Sequence, residues 1–218
     1  MFMVRRNLEY AKQIAFSSEE TLIFSYECAL NMKDTDGDYV ECGVAAGAQI
    51  IAMATASPNK IIHAFDSFDG IPLPSNRDDQ MPGIRYLTKE EQKDLPNAGE
   101  QELVSSGATV IPLDGFIHNL MKCDINLSNI TIHKGWFEET LPKTSIGKIS
   151  ILRLDGDLYN STLVCLQYLF DNVIKGGIVI IDDYELEGCK NACDDYFKSI
   201  GYEPKYKKIS NISYFIKW

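Results

Sequence analysis

Two short apolar runs that end in paired acids constrain this chain more than any other feature. The first is Ile149-Ser-Ile-Leu-Arg-Leu-Asp155-Gly-Asp157, and the second is Gly177-Ile-Val-Ile-Ile-Asp182-Asp183. Runs of this length, apolar without alternation, predict strands buried on both faces, as in a parallel sheet. In open α/β sheets, ligands gather beyond the carboxyl ends of the strands. Two acidic strand ends brought side by side there need a positive partner, because burying unpaired carboxylates is costly. Clustered oxygen donors suit a hard divalent cation. Asn160 or Ser161 is expected to cap a helix over residues 161–174, and Lys175-Gly176-Gly177 to stop it.

The rest of the chain alternates in the same way. Residues 8–32 read as helix, with a break where Ser17-Ser18-Glu19-Glu20 signals a new start. Residues 33–38 are a polar connector; they share a few acids with a calcium loop but lack its terminal glutamate. Tyr39-Val-Glu-Cys-Gly-Val-Ala-Ala-Gly-Ala48 reads as a strand, a tight turn and a helix start. Gly43 and Gly47 permit positive φ or close backbone approach, and Ala45 and Ala46 keep the turn slim. The loop departs from G-x-G-x-x-G, with alanine at the second glycine position and the third glycine displaced. Glu41 stands where a core residue is expected, which suggests contact with a cationic ligand group.

Residues 61–65 form the next strand and lead into Asp66. An acid at this strand end, some twenty residues beyond the glycine loop, can hold ribose hydroxyls as in dinucleotide-binding folds. The plainer alternative is an Asp that caps a turn or meets solvent. Residues 67–106 are punctuated by Pro and Gly. They are expected to hold only short elements, such as a helical turn near 89–94, and to act as a lid or insert beside the pocket. A short strand at 108–111, a helix at 115–122 and a strand at 130–133 follow. Trp136 and Phe137 come next; they could flank a flat base, although aromatics after a strand are more often core. Residues 188–199 read as helix, and the chain ends in a hairpin over Ser210-Asn211. Residues 1–218 are expected to fold as one domain, with residues 1–36 as N-terminal helices.

A net charge of −10 argues against nucleic acid and against anionic membrane as partners. No apolar run is long enough to span a bilayer. The six cysteines are scattered, without ligand spacing for zinc or a signal-peptide pattern ahead of them, so reduced thiols in a cytoplasmic protein are expected.

Five motifs occur in register: Val40-Glu-Cys-Gly-Val44, Phe65-Asp-Ser-Phe-Asp-Gly70, Gly135-Trp-Phe-Glu-Glu-Thr-Leu-Pro142, Leu154-Asp-Gly-Asp-Leu-Tyr-Asn-Ser-Thr162, and Gly176-Gly177 with Asp182-Asp-Tyr184 and Gly188-Cys-Lys190. Together they resemble the macrocin O-methyltransferase (TylF-like) family of metal-dependent class I S-adenosylmethionine methyltransferases. The resemblance implies a Rossmann-like α/β fold: a mostly parallel central sheet, a C-terminal antiparallel hairpin, and helices on both faces. It implies S-adenosyl-L-methionine and Mg2+, or another divalent cation, as cofactors, and methylation of a hydroxyl on a sugar or glycoside-like small molecule. By the same resemblance, Glu41, Gly43 and Gly47 hold the methionine part of the cofactor and Asp66 its ribose. Ser67, Gly135, Trp136 and Asp155 are further cofactor contacts. Asp155, Asp182 and Asp183 bind the metal, and Asp157 is the general base. Residues 67–106 show no match to a lid of that family, which leaves the acceptor open; a homo-oligomer is possible. The alternatives are an NAD-dependent oxidoreductase and a catalytically inactive protein of the methyltransferase fold.

Overall fold

The computed structural model describes residues 2–78 and 104–218. Helix α1 spans Phe2–Ile14 and α2 spans Glu19–Met32. The break between them falls at Ser18, whose hydroxyl accepts from the Thr21 N–H and caps α2. Then follow β1 (Asp38–Cys42), α3 (Ala48–Ala56), β2 (Ile62–Asp66), α4 (Leu113–Lys122), β3 (Ile130–Lys134) and the single-turn α5 (Phe137–Thr140). The second half holds β4 (Ile149–Leu154), α6 (Tyr159–Leu169), β5 (Val173–Ile181), α7 (Glu187–Ser199), β6 (Lys207–Ile209) and β7 (Ile212–Ile216).

The sheet runs β3-β2-β1-β4-β5-β7-β6. The first five strands in that order are parallel, and β7 lies antiparallel to β5 and to β6. The chain reverses direction across the sheet between β1 and β4, which opens a crevice at their carboxyl ends. Alternate strand residues feed two cores. Tyr39, Ile62, Ala64 and Ile151 pack with α1 to α4 on one face. Val40, Phe65, Leu152 and Val179 pack with α6 and α7 on the other.

Four expectations fail, each for a physical reason. Residues 108–111 form no strand: Gly107 and Thr109 have φ of +80° and +52°, which breaks an extended run. The short pairing nearby is instead Pro72 with Ser105. The helix expected over 161–174 starts earlier, at Tyr159, and gives way after Asn172, so that Val173 already belongs to β5. Lys175-Gly176-Gly177 is therefore not a helix stop. It is a bulge, with Ile149 opposite Val173 but Ile151 opposite Ile178, and Gly176 at φ +85°. Neither Asn160 nor Ser161 caps α6. The cap position is Leu158, and the Tyr159 N–H donates to the distant Asp78 carboxylate at 2.7 Å. The helical turn expected near 89–94, and most of the 67–106 insert, lie outside the described residues.

Candidate active site

Hydrogen bonds carry the sheet ladder one step beyond the strand ends. Gly135 N–H donates to Asp66 O, Gly43 N–H to Phe65 O, Asp155 N–H to Cys42 O, and Asp182 N–H to Leu154 O. The expected site positions thus stand in one row along the lip of the sheet. Behind them lies a cavity of about 320 Å³, lined by Glu41, Gly43, Asp66, Ser67, Trp136, Asp155, Asp157, Asp182 and Asp183, among others. Gly47 and Gly135 do not line it. Gly47, at φ +86°, starts α3 in the left-handed region, and a Cβ there would meet the Phe116 ring at 2.9 Å. Gly43 has a tighter reason to be glycine: a Cβ would fall 1.8 Å from the Asp155 carbonyl oxygen.

Asp66 is more occupied than its sequence position suggests. Oδ2 accepts from the Val44 and Ala45 N–H groups at 2.9 Å, and Oδ1 from the Phe68 N–H at 2.7 Å. The carboxylate therefore pins the glycine loop to the end of β2, and a lone pair on Oδ1 is left over. Ser67 closes its own turn, donating to Gly70 O at 2.9 Å and accepting from Asp69 N–H at 3.1 Å.

The cluster beneath β4 and β5 rests on a residue that sequence reasoning missed. Arg153 is completely buried at the centre of the sheet. Its Nε donates to Glu41 Oε1 at 3.1 Å, and its Nη2 donates to Asp155 Oδ2 at 3.0 Å and to Asp182 Oδ1 at 2.7 Å. The register explains the first contact: Glu41 lies directly opposite Arg153 on neighbouring strands, so both side chains leave on one face. Glu41 is therefore partnered from within the protein rather than by a ligand cation through that oxygen. Its Oε2 has no partner among the described residues, and burial pushes its carboxyl up to about 7 against the pull of Arg153. The available signal was a single arginine in an otherwise uncharged strand.

Asp155, Asp182 and Asp183 place one carboxylate oxygen each within 4.8 Å of one another, the one such grouping among the described residues. Asp157 is outside the group but tied to it, its N–H donating to Asp183 Oδ2 at 3.0 Å. Asp157 is held at φ +55°, a strained region for a side-chain-bearing residue that Asp tolerates best. Burial and then Asp182 push its carboxyl up to about 6. Burial, with repulsion from neighbouring acids, pushes Asp155 and Asp183 well above the carboxylate range. Four aspartates gather around one buried arginine that also pairs with Glu41, so the cluster carries excess negative charge, which either protons or a cation must balance. The donor set, all oxygen and mostly carboxylate, fits a divalent cation such as Mg2+.

The remaining wall comes from elements that the motifs did not mark. Phe16 and Ser17 from the α1–α2 turn, Gln49 on α3, Thr109 and Asn211 all line the cavity. No helix among the described residues is long and apolar enough to cross a membrane.

Comparison with known proteins places the chain in a family. A 4'-O-methyltransferase of a rhamnosyl-tetracenomycin C from Streptomyces olivaceus is 30% identical over 184 residues, which is 82% of this chain and 65% of that protein. The demethyldecarbamoylnovobiocin O-methyltransferase of Streptomyces niveus is 32% identical over 166 residues, 73% of this chain and 58% of that protein. The chain thus spans somewhat under two thirds of the length of these curated relatives. Among solved structures, the O-methyltransferase NovP superposes with a TM-score of 0.75 at 26% identity, covering 94% of this chain and 82% of that one. The calicheamicin methyltransferase CalS11, at 17% identity and a TM-score of 0.68, covers 99% and 91% and shares the fold. The family described as macrocin-O-methyltransferase (TylF) matches residues 27–217, nearly the whole chain, and the protein belongs to that family.

Proposed function

We propose that this protein is an S-adenosylmethionine-dependent, Mg2+-dependent O-methyltransferase acting on a hydroxyl of a sugar or sugar-bearing small molecule. The observation that carries the reading is the acid triad Asp155, Asp182 and Asp183 at the lip of a cavity, with the separate acid Asp157 hydrogen-bonded to it. The relatives named for methylating rhamnosyl, novobiocin and mycinamicin hydroxyls support the acceptor class.

S-adenosylmethionine supplies a methyl already activated on a sulfonium, and a divalent cation supplies the charge that acidifies and orients an alcohol. The chain contributes the rest. The glycine loop, pinned by Asp66, offers a narrow backbone surface at the end of β1, where Gly43 permits close approach. Asp66 Oδ1 has one lone pair for a ribose hydroxyl. Asp155, Asp182 and Asp183 would hold the cation. Asp157, on its strained turn, is the group free to take the acceptor's proton, a role that commonly contributes about 10²–10⁴ in rate. Trp136 and Phe137 supply apolar wall for a flat ring.

The test is methyl transfer from methyl-labelled S-adenosylmethionine to a panel of deoxysugar glycosides, with and without chelator. Labelled product that disappears with chelator and returns with Mg2+ is expected. Transfer only to non-sugar hydroxyls such as catechols would overturn the acceptor class. Undiminished turnover in chelator would overturn the metal. Calorimetry with S-adenosylhomocysteine and with NAD separates this reading from a nicotinamide enzyme.

A further inference from the structure

Arg153 lies directly beneath the proposed cation site, and its role there goes beyond charge balance. Each of the three acids has one oxygen committed to the protein. Asp155 Oδ2 and Asp182 Oδ1 are both held by Arg153 Nη2, and Asp183 Oδ2 accepts the Asp157 N–H. Among the described residues, the other oxygen of each carboxylate accepts no hydrogen bond; the held oxygens of Asp155 and Asp182 keep a lone pair, but a cation there would lie against the positive guanidinium.

We propose that Arg153 is a selectivity-determining residue: by holding one oxygen each of Asp155 and Asp182 it denies both carboxylates a bidentate mode, so the site favours a small octahedral cation over Ca2+. This rests on the metal reading above and extends it to which ion is bound. The chemistry is general. Ca2+ takes six to eight oxygens and readily uses both oxygens of a carboxylate, whereas Mg2+ requires a near-octahedral shell and keeps several waters. Three single oxygens suit the second ion and undersupply the first.

To reach a higher coordination number, Asp155 or Asp182 would have to turn its second oxygen away from Arg153. That would strip a partner from a guanidinium with no access to water, which is strongly unfavourable. Arg153 cannot follow the acids outward. Its backbone is laddered to Glu41 on one side and Ile180 on the other, in the middle of the sheet. Among the described residues its Nη1 has no hydrogen-bond partner to exchange for a lost carboxylate. Glu41 anchors the opposite edge of the fork and keeps the guanidinium turned toward the two aspartates.

The test compares Mg2+ and Ca2+ affinity by calorimetry on the full chain, for wild type, Arg153→Met and Arg153→Lys. Folding is checked by circular dichroism and by S-adenosylhomocysteine binding. Relative to Mg2+, Ca2+ affinity should rise at least tenfold in Arg153→Met, with Arg153→Lys between the two. An unchanged ratio in a folded Arg153→Met protein overturns the inference and leaves the metal reading standing. A wild-type ratio in Arg153→Lys would assign the effect to charge alone and overturn the role of the fork. A wild-type protein that binds neither ion overturns the metal reading and this inference together. A second measurement needs no variant: water relaxation on the Mn2+-loaded wild type should count about three bound waters, the octahedral remainder after three single oxygens. Fewer than two would require Asp155 or Asp182 to bind through both oxygens and would overturn the proposal, whereas two is still reached if only Asp183, which Arg153 does not hold, is bidentate.

Discussion

Asp78 ties together parts of the chain that are far apart in sequence, and removing it has a calculable consequence. One of its oxygens accepts from the Tyr159 N–H at 2.7 Å and so caps α6. The other accepts from the Ser75 N–H and the Ser75 hydroxyl, both at 2.7 Å. The same carboxylate sits against Gly188 in the first turn of α7, where a Cβ would come within 2.3 Å of Oδ1. Its neighbour Arg77 stacks 3.5 Å from the Tyr159 ring centroid and pairs with Asp195 on α7 at 2.7 Å. Loss of a side-chain cap costs about 1 kcal/mol. Two further bonds to a charged acceptor, partly exposed, add about 1 kcal/mol. Asp78→Ala should therefore destabilise by about 2 kcal/mol, or roughly 4–8 °C in melting temperature for a chain of this size. Asp78→Asn keeps an acceptor and should lose about half as much.

A second substitution serves as the control. Gly188→Ala should also destabilise, because the new Cβ collides with the Asp78 carboxylate. In the double variant that collision disappears, so the two effects should fall short of additive. The assay is thermal and urea unfolding of the four proteins. An Asp78→Ala protein melting within about 1 °C of wild type, or strictly additive effects, would refute the reasoning.

The other expectations follow from the site and from the sheet. Asp157→Asn should lower turnover by about 10²–10⁴ while leaving Mg2+ and S-adenosylhomocysteine affinity near wild type, and full activity would remove Asp157 as the base. Burial raises the Asp157 carboxyl and a base works only when deprotonated, so wild-type kcat/KM should climb with pH through that titration and level off above; the variant should lose that limb. Asp66→Ala removes both the proposed ribose contact and the pin on the glycine loop, so calorimetry should show S-adenosylhomocysteine binding weaker by about 2 kcal/mol, with metal affinity unchanged. Burial, and then His63, hold the His133 imidazole down at about 4. The unfolded chain therefore takes up that proton first as pH falls below the usual histidine value near 6.5. Stability is complete above that point and declines down to about 4, by about 1–2 kcal/mol after allowance for partial exposure. His133→Gln should flatten that part of the urea-midpoint profile, and an unaltered slope would count against it.

What the amino-acid order makes legible is local. The acids at the ends of β2, β4 and β5 stand out because a charge at the end of an apolar run is conspicuous in one dimension. Ser18 is legible as a cap for the same reason: it sits next to what it caps. Distance and backbone geometry hide the rest. Asp78 caps a helix that begins 81 positions further on, so no window over residues 159–161 could contain it. The stretch Val173–Gly177 resembles a helix end because two glycines usually stop a helix, whereas here they let β5 bulge past Ile149.

Glu41 and Arg153 show where the boundary lies. Each is a misfit on its own strand, and each invites a separate explanation: a ligand contact for the glutamate, none for the arginine. The missing fact is the register between β1 and β4, which sets the two opposite each other. Once paired, they explain one another, since neither charge could be buried alone. The pairing also explains why acids can follow directly at Asp155 and Asp182. The guanidinium that neutralises Glu41 on one edge reaches both aspartates with Nη2. A charged residue inside each of two buried strands is thus one observation rather than two. Opposite charges in two such runs need each other as partners, so in a parallel sheet they mark strands that lie side by side.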